Sequence, residues 1–382
     1  MMNCDVIIAG AGIWGCTLAR RFAEAGRKVL VLEKRSVVGG NVRCDIDAET
    51  GVELHSYGSH IFHTHVPAVW EFVNRFAKFN GYQHKVLASY KGRIYHLPIG
   101  LTMINKFFGL ELKPSEVSAF MADERNSSAI FDAFFRGYTS KQWGKAPEEI
   151  DPSIIKRVPV RSNYDTNYFN DYNQGIPLDG YNAMFDSMLD HPNISVQCNA
   201  VVRLENGAFY VDGEVLPDVP VYYSGPIDAL FGHKFGALPW RTLRFETETV
   251  DVADYQGTSV VNYTEAEVPY TRIHEFKHYH PEGQLVAKGL ASHGNDWGWS
   301  SPKTVIMREF SSQWKPGDEP YYPIDNAESR ALLARYQGEL DSLNALRAPR
   351  HQAQIVCGGR LGEYKYYDMD KSIVAALAAP FH

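Results

Sequence analysis

The sequence lacks nearly everything that marks a secreted, membrane-spanning or nucleic-acid-binding chain. Its five cysteines (Cys4, Cys16, Cys44, Cys198, Cys357) are odd in number, scattered and never arranged as CxxC, which reads as a reduced, cytoplasmic protein rather than a disulfide framework. No run of eighteen apolar residues exists, so no membrane span is expected. The N-terminal residues enter a strand pattern without a basic stretch and a long apolar segment, so no signal peptide is expected. Positive charge is in deficit: 38 Lys and Arg stand against 45 Asp and Glu, a net of −7. No global field therefore draws the chain to nucleic acid or to an anionic surface, and an anionic ligand must be met by a few placed arginines. HExxH, internal repeats and low-complexity linkers are missing too.

What the chain has in excess is aromatic side chains: 22 Tyr, 20 Phe and 7 Trp. Tyrosine beyond the needs of a core marks a surface that meets a flat, polar ligand. A length of 382 residues suggests two or three domains. CDVIIA (4–9), CTLARRFAEAG (16–26) and KVLVLEK (28–34) read as strand, helix and strand of a parallel unit. From about 67 to 156 the pattern is largely helical, interrupted by HKVLASYKGRIYHL (84–97), whose Lys-Gly pair predicts a hairpin. Strands return at 194–223, and polar alternation over 239–311 predicts an antiparallel sheet. A helix is expected over 326–346 behind an Asn cap, and strand, glycine turn and helix close the chain.

GAGIWG (10–15) fits GxGxxG between a strand and a helix. Gly10 permits the tight turn, Gly12 lets backbone approach a pyrophosphate, and Gly15 lets the helix pack on the strand. The helix N-terminus then offers oriented N–H groups to phosphate. Glu33 ends the second strand, placed to accept from a ribose hydroxyl. The alternative is a tight turn followed by an exposed acid. A second pair, Gly39 and Gly40, resembles the flavoprotein version of this motif.

HSYGSHIFHTH (55–65) holds His55, His60, His63 and His65 and raises the question of a metal. Gly58 breaks any helix that would align them, and Cys44 is a poor fourth ligand without a second cysteine beside it. The stretch is instead placed to line the floor beneath a flavin ring.

GAGIWG, EKR, GGN, YGSHIFHT, GYTSKQWG, IKRVPVR, NYF, QGIP, GPID, VPYTRI, GDEPYYP and GGRLGEYKYYDMD, in that order along essentially the whole chain, resemble the bacterial UDP-galactopyranose mutases. The resemblance implies an α/β fold: a Rossmann-like FAD-binding domain (1–80, 175–235, 347–382) interleaved with a mainly helical domain carrying a mobile lid (98–160) and an antiparallel-sheet substrate domain (81–97, 161–174, 236–346). It implies an isomerase that interconverts UDP-galactopyranose and UDP-galactofuranose without net redox, active when its FAD is reduced by an external reductant, the flavin N5 attacking the anomeric carbon as UDP leaves and returns. A homodimer is also implied.

Carried over residue by residue, the resemblance gives cofactor contacts to Gly10, Gly12, Ile13, Trp14, Gly15, Glu33, Lys34, Gly40, Asn41, His60, Ile61, Gly359, Arg360, Asp368 and Met369, with His63 near the reacting edge. Arg157 and Arg272 become the diphosphate arginines, suited by a fork that is always charged. Tyr168, Tyr322 and Tyr366 each offer the diphosphate a hydroxyl. Phe134, Tyr138, Thr139 and Trp143 become the uridine shelf and lid, although Phe134 and Phe135 read alone as core. His84 and Asn262 fall near the substrate. No metal is implied, and His55 and His65 become packing or surface residues. Two residues depart from the family pattern: Ser59 stands where a small apolar residue is expected, and His84 where many members have Asn. Glycines at 137 and 144 and prolines at 147 and 152 suggest that segment 137–161 hinges over bound phosphate. The competing readings are an amine-oxidase-like flavin oxidoreductase and a non-enzymatic binding protein resembling the GDP-dissociation inhibitors.

Overall fold

The computed structural model describes residues 4–149 and 160–381. Arg157, and with it the expected second diphosphate arginine, lies outside the described residues.

Val6–Ala9 and Val29–Leu32 are apolar at every position and buried at every position, as strands covered on both faces must be. They form the middle of a parallel five-stranded sheet in the order Ile355–Cys357, Val221–Tyr223, Val6–Ala9, Val29–Leu32, Ile194–Gln197. The chain builds outward from Val6–Ala9 first to one side and then to the other. At this reversal the C-terminal ends of two strands part and leave a crevice, where ligands of doubly wound sheets bind. Helix Ile13–Glu24 brings Trp14, Leu18 and Phe22 into one cluster with Ile373 and Ala376 of helix Met369–Ala378. On the other face, Phe209 and Val211 pack with Leu340 and Leu343 of helix Ala327–Arg347. That helix, expected within the sheet domain, therefore also packs against the dinucleotide unit; its Asn326 cap is present and accepts from the Ser329 amide at 2.8 Å.

The second unit is a seven-stranded sheet in the order Tyr322–Pro323, Trp240–Val250, Thr304–Gln313, Arg272–Glu275, Val260–Tyr263, Val86–Tyr90, Arg93–Leu97. It is not purely antiparallel as expected: Val260–Tyr263 pairs parallel with Val86–Tyr90. The latter comes from the early hairpin, whose Lys91 and Gly92 have φ of 48° and 70°, the left-handed pair that a tight two-residue turn demands. Helices Leu101–Phe108, Val117–Ala122 and Glu124–Phe131 form a third unit around a core shared with Ala88 and Tyr95 of the hairpin, and helix Gly137–Trp143 follows them. A π-helical turn, Asp132–Arg136, interrupts that run ahead of helix Gly137–Trp143.

Candidate functional site

A single cavity of about 1770 Å³ runs from the crevice of the parallel sheet to the face of the seven-stranded sheet. Its first end is a backbone cradle. Gly10 turns at φ 109°, and a Cβ there would lie 2.1 Å from Ser224 Oγ. A Cβ on Gly15 would lie 2.0 Å from the Gly10 carbonyl, so only glycine lets this helix meet its strand. Gly40, at φ 56°, passes so near the first turn that its Cβ would sit 3.0 Å from Gly12 Cα. Glu33 is buried, accepting from the Ala11 amide at 2.7 Å and the Arg35 amide at 2.9 Å, with lone pairs left for a hydroxyl. Ile13, Trp14, Lys34, Asn41, Ile61, Gly359, Asp368 and Met369 line the same space. So does Arg360, whose guanidinium has no ion pair among the described residues. A backbone cradle, a ribose-facing acid and an unpaired cation fit a dinucleotide.

The histidine stretch forms the floor. His60 donates from Nδ1 to the Gly58 carbonyl at 2.6 Å, which leaves its Nε2 lone pair free, and burial lowers its pKa to about 4. His63 donates from Nδ1 to Asp171 at 2.6 Å and stacks on Phe169 at 3.7 Å between ring centroids. Both histidines line the cavity. His65 is exposed, whereas His55 is fully buried between Phe276 and Tyr279. Cys44, Glu53 and His55 do converge, their ligand atoms within 4.8 Å of one another. The donor set does not suit a cation, because His55 Nδ1 accepts the His60 amide at 3.0 Å, which puts the ring proton on Nε2. Glu53 meanwhile is bound by His280 at 2.8 Å.

Arg272 dominates the other end. Its Nε lies 3.3 Å from Glu309, and an Nη donates to the Tyr138 hydroxyl. Burial opposes the charge on Arg272, but Glu309 and the surrounding tyrosines together outweigh it and hold the guanidinium protonated. Burial would likewise raise the Glu309 carboxyl; Arg272 and His274 prevail and bring it down to about 2. The Arg272 Nε–H is not aligned on the carboxylate and has no hydrogen-bond partner among the described residues. Asn262 Oδ1 is also buried and unpartnered. Tyr138, Tyr168, Tyr322 and Tyr366 surround the arginine, the last two stacked at 5.7 Å. His84 is buried edge-on to Tyr168, and burial, reinforced by Arg272, lowers its pKa to about 3.

Thr139 and Trp143 line the cavity on helix Gly137–Trp143. Phe134 does not, and its expected place on a uridine shelf is corrected: the ring is buried against Tyr90, Tyr95 and Phe107 as part of the helical core. Gly137, expected within the hinging segment, is tightly packed in this structure. A Cβ there would lie 2.4 Å from the Thr264 carbonyl, and Lys141 Nζ is within 2.7–3.0 Å of the carbonyls of Tyr263, Glu265, Val268 and Tyr270. The rest of the expected lid, from 150 to 159, lies outside the described residues. Sequence reasoning missed Glu309, His274 and Asp171, single polar residues on strands or loops without a motif of their own.

Fold and cavity together define a dinucleotide-binding protein whose cofactor crevice opens into a second, arginine- and tyrosine-lined pocket. Residues 133–366 match the family described as UDP-galactopyranose mutase, and residues 8–76 match an NAD(P)-binding Rossmann-like domain. A probable UDP-galactopyranose mutase of Klebsiella pneumoniae is 38% identical over 99% of this chain and 94% of its own length. A dTDP-fucopyranose mutase of Escherichia coli is 35% identical over 97% of this chain and 96% of its own. The chain belongs to the UDP-galactopyranose mutase family. Its fold is also that of a crystal structure of reduced UDP-galactopyranose mutase, at a TM-score of 0.69 and 17% identity over 98% of this chain and 94% of that one.

Proposed function

We propose that the chain is an FAD-dependent isomerase that interconverts UDP-galactopyranose and UDP-galactofuranose. The observation that carries this reading is the Arg272 pocket: a half-buried guanidinium with a buried, unspent Nε–H, ringed by four tyrosines, in the same cavity as a dinucleotide cradle. Reduced FAD would supply a nitrogen nucleophile for the anomeric carbon. Arg272 and the hydroxyls of Tyr168, Tyr322 and Tyr366 would hold the diphosphate both as ester and as departed UDP, so that it stays in place to return. Arg157 is expected to add a second guanidinium. His60 and His63, fixed in orientation by Gly58 and Asp171, present their Nε2 sides as acceptors. Asn262 Oδ1 is an acceptor for a sugar hydroxyl. Trp143 and Thr139 border the nucleoside end.

No second GxGxxG provides for a nicotinamide domain, so the reductant would visit the flavin without a site of its own. Among the described residues no helix is long and apolar enough to cross a membrane. The test is to incubate the dithionite-reduced protein with UDP-galactofuranose and separate the products, with dTDP-fucofuranose in parallel. UDP-galactopyranose should form, and only after reduction. Equal turnover by oxidised protein, or conversion of the dTDP sugar alone, overturns the reading.

A further inference from the structure

Behind the cavity wall, a chain of hydrogen bonds joins its two ends. Tyr279 donates its hydroxyl proton to Ser59 Oγ. Ser59 Oγ lies 2.6 Å from His274 Nδ1, and His274 Nε2 lies 3.1 Å from Glu309 Oε2. The carboxylate fixes every proton in this chain, because an ionised Glu309 can only accept. His274 must therefore donate from Nε2, which leaves Nδ1 to accept from Ser59. The other Glu309 oxygen lies 3.2 Å from Thr271 Oγ1 and 3.3 Å from Arg272 Nε. Ser59 and Glu309 both line the cavity; His274, between them, is fully buried and touches nothing in it.

The two ends belong to different parts of the fold. Ser59 sits in the turn whose Gly58 carbonyl fixes His60. Arg272 and Glu309 are direct cross-strand partners in the seven-stranded sheet. The turn rests directly on that pair: a Cβ on Gly58 would lie 3.9 Å from Glu309 Oε2.

We propose that His274 is a positioning residue that, by bridging Ser59 and Glu309, sets the cofactor-facing turn and the phosphate-binding Arg272 together as one unit. The proposal rests on the functional reading above for the identity of the two ligands. An imidazole does this where an amide cannot, since its two nitrogens bond in opposite directions across the ring. The relay makes Ser59 part of the device that orients the site, rather than a neutral departure from the family pattern.

The test uses the FAD-loaded protein with two readouts: UDP affinity by calorimetry and the flavin's visible absorption envelope. His274→Leu removes both bonds and should weaken UDP about tenfold, the loss expected of one hydrogen bond to a charged group, while changing the flavin spectrum. His274→Gln can keep an N–H toward Glu309 but leaves Ser59 without its opposed acceptor. It should recover most of the UDP affinity and retain the altered spectrum. Ser59→Ala should alter the spectrum with a smaller loss of UDP affinity than His274→Leu. If His274→Leu does not fold, the other two variants decide. Wild-type affinity and spectrum in His274→Leu overturn the proposal, as does His274→Gln binding UDP no better than His274→Leu. If the wild-type protein binds no UDP, the functional reading fails instead, and an unchanged spectrum in Ser59→Ala then overturns the relay separately.

Discussion

Replacing Glu309 by Gln leaves the shape of the pocket and removes one charge, so its effect can be worked from the structure. Glu309 is 2% exposed and faces Arg272 at 3.3 Å. Its carboxyl falls from an ordinary 4.5 to about 2 in the folded protein, a gap worth about 3 kcal/mol. Breaking a buried pair by removing one partner costs about 3–5 kcal/mol, so two independent routes agree. The sign comes from proton binding. The folded value is depressed, so the unfolded chain binds the proton first, and the stabilisation is complete above pH 4.5 and lost as pH falls toward 2. The wild type should therefore exceed Glu309→Gln by about 3 kcal/mol at pH 7 and by about 2 kcal/mol at pH 3.5. Urea unfolding of both proteins without UDP, monitored by tryptophan fluorescence across that range, measures the difference, and contributions from groups that do not touch Glu309 cancel. A difference below about 1 kcal/mol at pH 7, or one independent of pH, refutes the pairing argument.

The dinucleotide end of the site is legible in the sequence because its demands fall on the backbone and on neighbouring residues. Gly10, Gly12 and Gly15 sit in one turn, and Glu33 ends the next strand, so spacing alone specifies the geometry. The substrate end depends on register. Arg272 meets Glu309 only because Arg272–Glu275 and Thr304–Gln313 pair in one particular alignment, which local pattern does not fix. Ser59 lies 215 residues from His274 and meets it only when the two units dock. Phe134 shows the converse limit: an aromatic residue in an apolar helix looks the same whether it faces a ligand or a core, and here Tyr95 and Phe107 claim it. Lys141 is another such case, since nothing in KQWG announces that its ammonium gathers four carbonyls.

Gly40→Ala should strip the cofactor, because its Cβ would press on Gly12 at φ 56°; the purified protein should lose at least about nine-tenths of its flavin absorbance, in line with strain of about 1–3 kcal/mol, and full flavin content would contradict the cradle. Arg272→Ala, and separately Arg157→Ala, should lower turnover by about two to three orders of magnitude with flavin retained, and lysine at either position should restore only part of it. Stopped assays on flavin-loaded protein check this, and near wild-type turnover removes that arginine from the mechanism. The last prediction concerns His84, held neutral by burial with a pKa of about 3 against an ordinary 6.5. The unfolded chain takes up this proton as pH falls through 6.5 while the folded chain refuses it, so stability declines with acidification until about pH 3. Between pH 7.5 and 5 that costs the wild type about 2 kcal/mol, which His84→Asn, having nothing to titrate, should not lose. Urea midpoints of the two proteins at those pH values give the comparison, and equal losses would mean that His84 takes up its proton inside the fold as readily as in the unfolded chain.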